Sequence, residues 1–176
     1  MSLKKSLIPI LLTSALFLAG CNEEPLADTK IESSQSETSS VVKVSYLYEN
    51  EDYQLAISEN MDWQLESEKE TDNLNVVLND DTLTALVSSV SASNTFEDIK
   101  KELIKGAGNV TVLSESDDFL SYKSKLKNAV RTDVYFKEQD ELKNYIITFM
   151  SQTSEFEDNQ PKVESLLNNI HFNEKE

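Results

Sequence analysis

The chain of 176 residues has one cysteine, one histidine, three glycines and three prolines. The single Cys, Cys21, excludes a disulfide within one molecule. Nucleophilic catalysis needs a nucleophile beside a base and a third group to orient that base. His171 alone, close to the C-terminus and without a paired motif, does not supply them and reads as a structural or surface residue. There is no Gly-rich phosphate loop, no HExxH and no EF-hand spacing, so no catalytic residue, metal ligand or cofactor is expected. Basic residues are also few, 16 against 32 acids, for a formal charge of −16. Charge of that sign repels phosphate backbones and anionic headgroups, which excludes nucleic acid as a partner. The acidic excess reads as solubility, with a basic partner or divalent cations as the alternative. The apolar run Leu7 to Gly20 is interrupted by Pro9 and falls short of the ~18 residues that a transmembrane helix requires.

That run has the order of an export signal. Lys4 and Lys5 form a basic head, Ser6 to Gly20 is an uncharged core, and small residues close it. Leu18-Ala19-Gly20-Cys21 resembles the lipobox of bacterial lipoproteins, whose Cys receives a diacylglycerol before the signal is removed. The resemblance implies a signal peptide over 1–20 and Cys21 as the first mature residue, acylated on sulfur and on its new amino group. Removing two Lys with the signal leaves 156 residues of charge −18, enough for one domain. Acylation also disposes of a lone thiol that an oxidising compartment would attack.

Residues 21–40 hold the acylated Cys and a tether. Asn22 to Ser40 contains five Ser, two Thr, five acids and one Pro, too little apolar surface to offset chain entropy. A flexible coil of this length averages about 24 Å end to end.

The domain is expected over 41–176. Val42, Val44, Tyr46 and Tyr48 alternate with Lys43, Ser45 and Leu47, the period of a strand with one buried face. Tyr53, Leu55 and Ile57 repeat it, Met61, Trp63 and Leu65 extend it, and Glu66 to Asn73 reads as a charged loop. Leu74–Leu78 and Leu83–Val90 flank the turn residues Asn79-Asp80-Asp81 as a hairpin. Thr95 caps a helix, with Asp98 in the capping-box position. Phe96, Ile99, Leu103 and Ala107 lie on one face, Glu97 pairs with Lys101, and Gly106 stops the helix. Strands follow at Val110–Leu113, Phe119–Lys125, Val130–Phe136 and Leu142–Met150. The last is apolar on both faces, as in the middle of a sheet covered on two sides. A closing helix starts near Pro161, carries Val163, Leu166, Leu167 and Ile170, and ends at Asn168-Asn169, with a short strand at His171-Phe172. Hairpin-length links make this an α+β domain, a mainly antiparallel sheet flanked by helices.

Few polar groups suggest a site. Asp80-Asp81 and Asp117-Asp118 could offer oxygens to Ca²⁺ or Mn²⁺, but two acids in a turn more commonly serve the turn itself. Trp63 could anchor a partner; its place beside a strand favours the core.

The layout, with the stretches Tyr53–Met61, Leu74–Val90 and Glu164–Ile170, resembles the Mog1/PsbP-like fold and, within it, the DcrB envelope lipoproteins. The chain departs from that family at Ser58, where Pro is common, and at Asn22, where Asp is usual. The resemblance implies a non-enzymatic interaction or assembly module of the cell envelope, with a use by phage during infection. The same resemblance implies that its lipid holds it to the membrane and that an envelope protein is its partner. In a Gram-negative cell Asn22 leans toward the periplasmic face of the outer membrane over the inner one. The alternative is an envelope lipoprotein that binds a small ligand or a divalent cation.

Overall fold

The computed structural model describes residues 45–60 and 62–173. The expected signal, lipobox and tether, Cys21, the first residues of the expected opening strand and Met61 lie outside the described residues. Among the described residues ten strands and two helices run in the order β1 (Tyr46–Asn50), β2 (Leu55–Ser58), β3 (Gln64–Glu70), β4 (Leu74–Asp80), β5 (Leu83–Ser91), α1 (Phe96–Ala107), β6 (Val110–Glu115), β7 (Phe119–Ser124), β8 (Val130–Glu138), β9 (Lys143–Gln152), α2 (Phe156–Asn169) and β10 (Ile170–Phe172). The fold class is α+β, and every strand pairing is antiparallel.

β9 takes the position its composition demands. The large sheet has the order β3-β4-β5-β9-β8-β7-β6, with β9 in the middle. Its Tyr145, Ile147 and Phe149 enter one core with Leu74, Val76, Leu78, Val87, Val163 and Leu166. Ile146 enters a second core on the opposite face, with Phe96, Leu120, Tyr122 and Val134. Thus α2 and the small sheet β1-β2-β10 pack on one face and α1 on the other. The chain makes this sheet from two meanders, β3–β5 and β6–β9. α1 carries it to the far edge, from which the second meander returns to zip β9 onto β5.

Besides Ile170, which opens β10 instead of belonging to the closing helix, and Tyr53, which lies in the turn before β2, five features differ from the sequence reading. The strands form two sheets, since β1 and β2 pair with β10. The expected charged loop at Glu66–Asn73 is mostly strand. All seven residues of β3 are exposed, so no buried face imposes an alternation on the sequence. β3 is an edge strand, where charges discourage pairing with other chains. On α1, Lys100 rather than Lys101 meets Glu97, at 2.8 Å, and Lys101 reaches Asp98 at 3.4 Å. α2 begins at Phe156, five residues ahead of Pro161, because Phe156 and Asn159 are buried and tie this first stretch to the core.

The fifth concerns the end of α1. Thr95 caps its start as expected, its hydroxyl accepting from the Asp98 amide at 3.2 Å. Gly106 lies within the helix, and Gly108 is the residue that leaves it, at φ 73° and ψ −118°. That conformation is open to Gly and costly for an L side chain. An added Cβ would meet nothing within 4 Å at either glycine, so backbone preference alone sets the effect. Gly106→Ala should therefore raise stability by about 0.5–1 kcal/mol, while Gly108→Ala lowers it by about 1–2 kcal/mol. Paired urea titrations check the opposite signs.

Candidate functional site

One cleft forms where the short strand β10 and the end of α2 pass over the large sheet at β8. Its volume is about 650 Å³, within the usual range for small-molecule sites. Tyr135 from β8, Ile147 from β9, and Leu167 and Phe172 from the closing segment provide its apolar surface. Lys137, Gln139, His171 and Asn173 supply polar groups. Tyr135 is held from two sides, its ring 4.9 Å from Phe119 and edge-on to Phe149 at 5.8 Å. Burial, and after it the Asp133 carboxylate, pushes the Tyr135 hydroxyl above its ordinary pKa. Phe172 rests 4.7 Å from Tyr145, whose buried hydroxyl donates to the Tyr53 carbonyl.

His171 lies on this cleft as an exposed residue of β10, its Nε2 2.9 Å from Ser58 Oγ. The register explains the meeting, since β10 runs antiparallel to β2, with Ile170 opposite Ile57. The contact joins the two short strands at the surface. A hydroxyl beside an imidazole can exchange a proton, but acyl transfer also needs donors aimed at a developing oxyanion.

The sequence-derived candidates fall in separate places. Asp80 ends β4, and its side chain, 10 % exposed, is 2.9 Å from Lys162 Nζ. That hydrogen bond raises the Lys162 pKa. Asp81 occupies the following turn at φ 32°. Asp117 and Asp118 sit in the β6–β7 turn, in the other half of the sheet, where Ser116 Oγ donates to Asp118 Oδ1 at 2.7 Å. Among the described residues no group of three or more His, Cys, Asp or Glu is placed to hold a metal ion. Trp63 is 2 % exposed, edge-on to Phe149 at 6.2 Å, and so belongs to the core.

One polar cluster escaped the sequence reading. Asp133, 2 % exposed, accepts from Arg131 Nε and Nη2 at 3.0 and 3.1 Å and from Ser121 Oγ at 2.5 Å. The Arg131 guanidinium also lies 3.3 Å from the centre of the Phe156 ring. Its signal was present in the chain: Arg131 and Asp133 are two apart on one strand and so share a face. Ser121 is the register partner of Asp133. This cluster ties β7, β8 and the start of α2 together, beside the cleft residue Tyr135.

No helix among the described residues is long and apolar enough to cross a membrane. Comparison with protein families finds no family model that matches this chain, and no curated protein matches it either.

Proposed function

We propose that this is a lipid-anchored protein of the bacterial cell envelope, with a Mog1/PsbP-like domain similar to DcrB that acts by binding rather than by catalysis. The observation that carries the reading is Leu18-Ala19-Gly20-Cys21 directly behind a basic head and an apolar stretch. The order of strands and helices, with a closing helix on the face opposite α1, is compatible with that fold family. Two acyl chains at about 0.8 kcal/mol per buried CH₂ hold a domain at a bilayer stably. Its acidic charge keeps the domain off anionic headgroups, leaving its surfaces free for a protein partner.

Cys21→Ala should abolish metabolic palmitate labelling and shift the protein from the membrane to the soluble fraction. Undiminished labelling of that variant would sink the assignment. The cleft favours a second reading, a lipoprotein that binds a small ligand with an apolar body and a polar end. A ligand-dependent rise in melting temperature separates it from the first.

A further inference from the structure

The two edges of the large sheet are unlike. At one edge β3 presents Glu66, Glu68, Lys69 and Glu70, charges that discourage a further strand. At the other edge β6 is uncharged from Val110 to Ser114 and β-branched at its first three positions. Its Val112 and Leu113 are 44 % and 42 % exposed. Both edges carry an irregularity in register, between Leu65 and Ser67 and between Val112 and Ser114. A bulge therefore does not distinguish them; charge does.

Charge is graded along β6. At its start the Asn109 carbonyl accepts from the Lys125 amide at 3.1 Å. This brings the loop bearing Lys125, Lys127 and the 73 %-exposed Leu126 to that end, with Lys123 opposite Thr111. At its finish stand Glu115 and the turn acids Asp117 and Asp118. Among the described residues two cations stand near: Lys100 bonds the Ser116 carbonyl at 3.2 Å and is paired with Glu97 at 2.8 Å, and Lys137 shares a cleft with Asp117, Asp118 and Glu138, so the acids still outnumber them. A strand basic at one end and acidic at the other is complementary to itself when turned through a two-fold axis. The formal charge of −16 opposes association over most of the surface, so an edge where opposite charges meet is the favoured contact.

We propose that β6 is a homodimer edge: a second copy adds its own β6 antiparallel, across a two-fold axis beside Val112, and continues the sheet. Val112 then lies opposite Val112, a cross-strand pair that buries β-branched surface. Glu115 of one copy falls opposite Asn109 of the other, so the Lys125–Lys127 loop of each meets the Glu115–Asp117 end of its neighbour.

The test uses the full-length chain in detergent. On a Cys21→Ala background, Val112→Cys should give a disulfide-linked dimer under mild oxidation, absent from Cys21→Ala alone and from Leu65→Cys on the β3 edge. Adding Lys125→Glu and Lys127→Glu makes both ends acidic and should lower the yield about tenfold, from the loss of symmetric ion pairs. Glu115→Lys with Asp117→Lys makes both ends basic and should do the same. Mixing the two variants should restore the yield as a heterodimer. These positions are exposed, and unchanged melting temperatures establish that the variants fold. Without any added Cys, sedimentation should report dimers at low salt that dissociate at high salt. The proposal is overturned if the chain sediments as a monomer throughout, or if trapping ignores the charge variants. Capture of a different polypeptide by Val112→Cys in place of a second copy overturns it too.

Discussion

Phe149→Ala should lower the stability of the domain by about 3–5 kcal/mol, the range for deleting a buried aromatic ring. Phe149 is 1 % exposed on the central strand and meets Trp63 at 6.2 Å and Tyr135 at 5.8 Å, both edge-on. Removing it leaves two large rings without the partner that orients them, in a core packed too densely to collapse around the gap. Urea denaturation should show a lower midpoint with an unchanged slope, as expected when stability alone changes. A loss below about 0.5 kcal/mol, ordinary for surface changes, would mean that the core of β9 is not where the structure puts it. A cycle with Trp63→Ala should show non-additivity, because the two rings touch. Tyr135 links this core to the cleft, so loss of the ring should also loosen the cleft wall.

The legible parts of the fold are those where burial imposes a pattern. β9 was readable because Tyr145, Ile147 and Phe149 face one core and Ile146 the other, and only a central strand covered on both sides needs both sets. The face of α1 was readable from Phe96, Ile99 and Leu103, which pack into the second core. β3 was illegible for the converse reason: its backbone pairs with β4 while none of its side chains is buried, so polarity mimicked a loop. The start of α2 was obscured because Glu155 gives no side-chain cap, and Pro161, which suits a first turn, lies inside the helix. A Pro in the second turn removes only one hydrogen bond, to a carbonyl near the helix start. As for the site, the proposed lipobox is four consecutive residues, Leu18 to Cys21, and so is a matter of sequence alone. The cleft is not, since it joins Tyr135, Leu167 and His171 from three elements through tertiary packing. Nor was the pairing of His171 with Ser58, 113 positions away in the chain.

Asp133→Ala should cost about 3 kcal/mol, the lower end of the range for removing one partner of a buried ion pair. The carboxylate has 3 % of its side-chain surface exposed, against 23 % for Arg131, so the stranded guanidinium keeps some access to water. Ser121, fully buried, loses the acceptor of its hydroxyl at the same time, which adds to the cost. A buried pair replaced as a whole behaves differently, because desolvating both charges offsets much of their attraction. Arg131→Met with Asp133→Leu and Ser121→Ala removes every member of the cluster and keeps an apolar side chain against the Phe156 ring. That triple variant should recover stability to within about 1 kcal/mol of the parent protein, measured by urea titration at neutral pH. If it stays as unstable as Asp133→Ala, shape at this position and not the unpaired charge accounts for the loss. If instead it recovers, the three polar residues are dispensable for stability. Their value then lies in fixing how β7, β8 and the start of α2 meet, and with it the position of Tyr135 on the cleft wall.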